Sequence, residues 1–191
     1  MIPRALNLLR RPLLAVALLL CFAPALHAQI VEPALSDAEV EILRDKAPVP
    51  PERVLAFVGF LDDRTKAIDK LVTLQHRPGR ELDIHDMMEQ FTSIANDLDD
   101  NLDEYGKRHK DLRKILPKLV AATERWATAL KSPPDHEAYN ISRKLALESV
   151  SDIHEAATHL IDEQKAWFLA HPPSKDRDAD LNTETPKKRP F

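Results

Sequence analysis

Apolar side chains recur along the middle of this chain at steps that alternate between four and three residues. Such steps keep one stripe of a helix facing a partner, as in the seam of a coiled coil or a long helical bundle. The longest stripe consists of Ile84, Met88, Phe91, Ala95, Leu98, Leu102, Tyr105, His109, Leu112, Leu116, Leu119, Thr123, Trp126 and Leu130. The alternating pattern of a strand is absent from the sequence, so an all-α protein is predicted, built as an elongated, antiparallel, coiled-coil-like helical bundle.

Turn signals divide this pattern into three long helices. A Pro-Gly turn lies at residues 77–80, and a Pro-Pro turn lies at residues 132–134. The long helices are therefore predicted at about residues 51–76, 82–131 and 135–170. A short helix is predicted before them.

The middle helix contains two residues at which it could break, Gly106 and Pro117. Acidic residues precede Gly106 and basic residues follow it, an order that is unfavourable at a helix end but gives i,i+4 ion pairs inside a helix. A glycine within a helix costs only about 1 kcal/mol, whereas a proline costs about 3 kcal/mol. We therefore expect one helix over residues 82–131, bent at Pro117. The alternative is a compact four-helix bundle that is broken near Gly106 or Pro117.

The N-terminal region has the pattern of a secretory signal peptide at residues 1–28. Arginines are followed by an apolar run and then by small residues, and the apolar run is shorter than the ~20 residues that a membrane span needs. Cleavage is predicted between Ala28 and Gln29, with cleavage after Ala25 as the rival. A lipoprotein signal at Cys21 is disfavoured because a leucine precedes the cysteine. The mature chain is thus expected to be exported, periplasmic or extracellular, with no integral membrane span.

The rest of the chain divides into three regions. Residues 29–50 form an N-terminal segment, in which Ser36 and Glu39 make a capping box for the short helix. Residues 51–171 form the helical bundle domain. Residues 172–191 are rich in Pro, Lys, Asp and Thr, and they are predicted to be a disordered tail.

Removal of the signal changes the composition in two ways. The single cysteine is lost, which leaves the mature chain without disulfide or thiolate chemistry. Three of the 27 Lys and Arg are lost as well, so 24 remain against 31 Asp and Glu, a net charge of −7. An acidic chain is a poor candidate for nucleic-acid binding, and no nucleic-acid partner is predicted.

The candidate metal ligands are histidines. His154 and His159 lie in a sequence that resembles a zinc-protease motif, but they are five residues apart instead of four and point to different faces of a helix. His109 lies on the predicted seam, where it could meet His154. The alternative is a polar seam residue that fixes the register of the helices. His85 forms an i,i+4 pair with Glu89.

The sequence contains neither a nucleophile motif nor a glycine-rich phosphate loop, so no catalytic residue and no cofactor are predicted. We expect an exported, non-enzymatic helical protein that acts as a protein-interaction or structural module, because the long seam leaves apolar surface to be covered. Its partner would be another protein or, as a homo-oligomer, a second copy. The alternatives are a metal- or haem-binding helical bundle at His85, His109 or His154, and a periplasmic chaperone-like binder.

Overall fold

The computed structural model describes residues 33–75 and 77–172, which form five helices and no strand. The predicted all-α class is confirmed. The helices are α1 (Asp37–Asp45), α2 (Pro50–Thr73), α3 (Arg80–Lys107), α4 (Leu116–Lys131) and α5 (Asn140–Ala170). The predicted signal peptide and nearly all of the predicted tail lie outside the described residues.

The short helix α1 begins at the predicted capping box. Ser36 Oγ accepts a hydrogen bond from the backbone N–H of Glu39 at 3.3 Å, and the Ser36 backbone N–H donates to Glu39 Oε2 at 2.8 Å. Arg64 of α2 ties this helix down, because its Nη1 donates to Glu39 Oε1 at 2.6 Å and its Nη2 donates to the carbonyl of Ala34 at 2.7 Å. The Arg64 guanidinium and the capping hydrogen bonds lower the pKa of Glu39 to about 2.

The chain between residues 82 and 131 is not one helix, and that prediction is wrong. Helix α3 ends at Lys107 in a Schellman motif, in which the His109 N–H donates to the Gly106 carbonyl and the Lys110 N–H donates to the Tyr105 carbonyl, both at 2.9 Å. His109 has the left-handed φ of 49° that this motif requires. The break lies where the four-helix alternative places it, near Gly106.

The ion pairs that favoured a continuous helix do form, but they need only the last turn of α3. Lys107 Nζ lies 2.5 Å from Asp103 Oδ2, and Arg108 Nη2 lies 2.9 Å from Glu104 Oε1. Each such pair is worth only a few tenths of a kcal/mol, which is too little to hold a helix together against buried packing beyond it. Pro117 does not bend a helix, because it lies in the first turn of α4, where its missing N–H costs nothing.

The four longer helices pack so that each contacts two others. Helix α2 packs against α3 and α4, and α5 also packs against α3 and α4. Short turns connect α2 to α3 and α4 to α5, which makes each of these pairs an antiparallel hairpin. Where the two hairpins meet, Phe91 of α3 lies edge-on to Trp126 of α4, with ring centroids 5.8 Å apart. The Trp126 Nε1–H donates to Asp62 Oδ1 of α2 at 2.7 Å.

Helices α3 and α5 run in the same direction. From one end to the other, Ser142 meets His85, Ser149 meets Asn96, and a Cβ built on Gly106 would lie 2.8 Å from Leu160 Cδ2. A single helix over residues 82–131 would place α5 antiparallel to that helix along its whole length, so the parallel pairing of α3 and α5 is a second consequence of the break after Lys107. Among the described residues, no helix is long and apolar enough to cross a membrane.

Candidate functional site

His85 and Ser142 form a polar contact near the start of α3 and α5. Ser142 Oγ lies 2.7 Å from His85 Nδ1, and His85 Nε2 lies 3.2 Å from Glu89 Oε1. Sequence reasoning found the His85–Glu89 pair but missed Ser142, because the contact spans 57 positions of the chain. A serine, a histidine and a carboxylate in a row resemble a hydrolase site. Ser142, however, is only 3% exposed, so its hydroxyl is out of reach of a substrate and is satisfied as a buried polar group.

The sequence suggests a contact between His109 and His154 on the seam. In the structure, each of the two histidines has a different partner. His154 Nδ1 lies 2.8 Å from Thr123 Oγ1 of α4, whereas the His109 ring stacks on Trp167. In the part of the chain that the structure describes, no group of three or more His, Cys, Asp or Glu could hold a metal ion. The three candidate ligands therefore remain a sequence prediction for which no shared site is seen between residues 33 and 172.

His109 is exposed, so its predicted position on the buried seam is wrong. It lies beyond the end of α3, where its ring is parallel to that of Trp167 with centroids 3.5 Å apart and planes inclined by 8°. His171 stacks on Trp167 as well, at 3.9 Å and 21°. The helical periodicity that predicts a buried position holds only for residues inside a helix. His109 lies outside α3, and its left-handed backbone turns the side chain away from the core.

Gln164 of α5 holds the connection between α3 and α4. Its Nε2 donates to the carbonyl of Lys110 at 2.8 Å, and its Oε1 accepts from the backbone N–H of Leu112 at 2.9 Å. Gln164 is 3% exposed and Leu112 is fully buried. The Leu112 N–H would otherwise be buried without a partner, and the two hydrogen bonds of this one amide join the connection at residues 108–115 to α5.

The last turns of α5 and this connection enclose a recess with a volume of about 370 Å³. We name it the end surface and define it by its lining residues, which are Arg113, Ile161, Lys165, Phe168 and Leu169. The Arg113 guanidinium lies over the Phe168 ring, 4.1 Å from its centroid. Leu169 is 84% exposed, the highest exposure among the large apolar side chains of the described residues.

The charge of the end surface contrasts with that of a groove that includes Gly106. This groove, of about 790 Å³, is lined by three acidic residues, Asp99 and Asp103 of α3 and Glu163 of α5, and by Lys107, His109 and His159. Burial and the nearby carboxylates of Asp152, Asp100 and Asp103 raise the pKa of Asp99. The segment at residues 107–118 has the opposite charge, with six Lys and Arg against one Asp.

Sequence reasoning did not single out the end surface, although one signal was present. Trp167, Phe168 and Leu169 are consecutive apolar residues, and three consecutive positions cannot all lie on one stripe of an amphipathic helix. At least one of them must be exposed; in the structure Leu169 is exposed, and Trp167 and Phe168 are half-buried. No protein family model, no curated protein and no solved structure matches this chain.

Proposed function

We propose that this chain is an exported, non-enzymatic helical protein that acts as a protein-interaction module through its end surface. The observation that carries the proposal is the 84% exposure of Leu169 next to the recess. Cationic side chains, Arg113 and Lys165, lie around this apolar group. Apolar side chains surrounded by charged ones are typical of surfaces that bind another protein.

The scaffold that we propose for this surface is the four-helix bundle with its break near Gly106. It is supported by the contacts of α2 and α5, each with both α3 and α4. Apolar side chains from all four helices are buried together in this scaffold, and Gln164 joins the last turns of α5 to the connection after α3. Rigid elements keep an interaction surface in one geometry before the partner arrives, which reduces the entropy lost on binding.

The interaction is tested by photo-crosslinking in cells that produce the protein. A photoreactive phenylalanine analogue replaces Leu169 in one variant and Ile141 in a matched variant. Ile141 is 75% exposed at the opposite end of the same helix, so it controls for exposure and helix. We expect discrete crosslinked products from position 169 and none from position 141. Equal products from both positions, or none from either, would contradict the proposal.

The same experiment separates a specific partner from chaperone-like binding. A specific partner gives one or a few adducts of defined mass, whereas a chaperone-like binder gives a continuous distribution of masses. Self-association gives an adduct of twice the mass of the chain. Light scattering during size-exclusion chromatography, with and without zinc and nickel, then shows whether this dimer forms without a partner or a metal.

Export is tested by fractionation of the same cells. We expect the chain outside the cytoplasm with Gln29 as its N-terminal residue. A variant that lacks residues 1–28 should remain in the cytoplasm. An unprocessed wild-type chain in the cytoplasmic fraction would contradict this part of the proposal.

A further inference from the structure

We infer that the end surface binds a short acidic peptide segment that also carries large apolar side chains. This inference rests on the proposed function and specifies the chemistry of the partner. It depends on three features of the described residues: the available donors of Arg113 and its neighbours, the apolar floor of the recess, and the charge of the connection between α3 and α4.

Arg113 is held in place but retains donors for a ligand. Its Nε and Nη2 donate to the two carboxylate oxygens of Asp111 at 2.9 and 2.7 Å. Its Nη1 donates to no atom of the described residues, and the Phe168 ring supports one face of the guanidinium at 4.1 Å. A guanidinium that is already fixed in position loses little entropy when it binds a carboxylate, and it binds planar oxyanions better than an ammonium does.

The floor of the recess is apolar and short. Ile161, Phe168 and Leu169 lie within two and a half turns of α5, which corresponds to about 12 Å along the helix. This length accommodates about four residues of an extended peptide at ~3.3 Å per residue. One or two large apolar side chains can therefore lie against Phe168 and Leu169 while adjacent residues reach the rim.

The rim has a cationic excess, although the Asp111 carboxylate already pairs with Arg113. Lys165 lies on the rim of the recess, and Lys110 and Lys114 are exposed in the connection that passes beside it. Cations next to an apolar floor attract acidic partners and repel basic ones, which gives specificity as well as a faster association.

The probe is a synthetic peptide of nine residues, labelled with a fluorophore, in which aspartate and glutamate flank one leucine and one phenylalanine. A second peptide replaces every acid with lysine. Fluorescence anisotropy with the full exported chain is expected to show saturable binding of the acidic peptide and at least tenfold weaker binding of the basic one. Equal binding of the two peptides, or no binding of either up to millimolar protein, would overturn the inference.

Two double variants with the same charge change locate the site. Arg113→Glu with Lys165→Glu reverses the end surface, and Lys70→Glu with Lys144→Glu reverses two exposed lysines on α2 and at the start of α5. We expect the first pair to weaken the acidic peptide at least tenfold and the second to weaken it less than twofold. Circular dichroism shows that both variants are folded. Similar losses in both pairs would mean attraction by net charge alone and would overturn the inference.

Two further measurements identify the other possible occupants. Binding to vesicles of phosphatidylcholine and phosphatidylglycerol without binding of the acidic peptide would assign the surface to a membrane and overturn the inference. Peptide binding that appears only after truncation behind Pro172 would assign the end surface to the chain's own C-terminal segment. That result would also overturn the inference. A partner that is crosslinked at position 169 but binds equally well after reversal of Arg113 and Lys165 would leave the proposed function intact and overturn only this inference.

Discussion

The two ends of α5 differ in what they contact. Near its start, Ser142 and Ser149 meet polar side chains of α3, which runs beside it in the same direction. Near its end, α3 has already stopped, because Gly106 lies level with Leu160 and α3 ends at Lys107. The ten residues from Ile161 to Ala170 therefore extend about 15 Å past their neighbour. The exposed apolar surface is thus produced by the difference in where two parallel helices end.

The largest expected effect concerns Gln164, the residue that joins the extended part of α5 to the rest of the molecule. Gln164→Leu leaves the Lys110 carbonyl and the buried Leu112 N–H without their partners, and we expect a loss of about 2–3 kcal/mol in the free energy of unfolding. Urea denaturation measures it. Glu163→Leu introduces the same side chain at an exposed neighbouring position, and we expect a change of at most about 0.5 kcal/mol. Equal losses in the two variants would show that Gln164 does not hold the connection.

A matched pair of glycines tests how closely α3 and α5 approach at the point where α3 ends. Gly59 in α2 has open space around the position of a Cβ, whereas a Cβ on Gly106 would lie 2.8 Å from Leu160 Cδ2. Gly59→Ala is expected to raise the free energy of unfolding by about 0.5–1 kcal/mol. Gly106→Ala, in the last turn of α3, gains less helix propensity and must displace the end of the Leu160 side chain, so we expect it to be about 1 kcal/mol less stable than Gly59→Ala. Thermal unfolding of both variants is the measurement, and equal shifts would contradict the close approach.

A comparison of Ser142→Ala with Leu169→Ser contrasts the two ends of α5 directly. Ser142→Ala removes a buried hydrogen bond to His85 and should cost about 1 kcal/mol. Leu169→Ser changes a side chain that is already 84% exposed, and we expect a change within about 0.5 kcal/mol. Urea denaturation of the two variants measures both changes in the free energy of unfolding. A large loss for Leu169→Ser would mean that this leucine is packed and that the end surface is part of the core.

Sequence reasoning recovers the features of the fold that are local, which means that they depend on residues close together in the chain. The capping box at Ser36 and the burial of seam residues such as Met88 and Leu98 are local, and both are found as predicted. The break after Lys107 is not local. The connection of residues 108–115 contains about as many residues as two turns of a helix. The spacing of the buried residues Leu112 and Leu116 is therefore the spacing expected along one helix, although no helix joins α3 to α4.

The candidate site was even less accessible to sequence reasoning. His109 was selected for its seam position, which it does not occupy. The apolar run at residues 167–169 indicates one exposed side chain, but no pattern within α5 encodes where α3 ends, so the recess beside Leu169 was not predictable. Gln164 bonds Lys110 and Leu112 across more than fifty positions of the chain, a contact that no local pattern encodes.

The smallest expected effect concerns the acidic groove. Burial and the carboxylates of Asp152, Asp100 and Asp103 raise the pKa of Asp99 in the folded chain. The folded state therefore binds the proton of the Asp99 carboxyl group more tightly than the unfolded state does. The stability of the wild type should therefore increase as the pH falls through the folded pKa of Asp99. At neutral pH, Asp99→Asn should stabilise the fold by a few tenths of a kcal/mol and reduce this pH dependence. Exposed Asp162→Asn serves as the control, and an equal gain in both variants would contradict a local cause.

The tie between Arg64 and Glu39 has a consequence for how the molecule opens. Helix α1 packs against α2 with a single buried apolar residue, Leu43. Much of its attachment is therefore electrostatic. The four longer helices, by contrast, share an apolar core. Elements held by few apolar contacts open locally, far more often than the whole protein unfolds. Arg64→Met, which removes the guanidinium that bonds Glu39 and Ala34, should therefore speed proteolytic cleavage at residues 46–49 while the denaturation midpoint of the core stays nearly unchanged. The N-terminal helix would then act as a latch that one side chain, and not the apolar core, keeps closed.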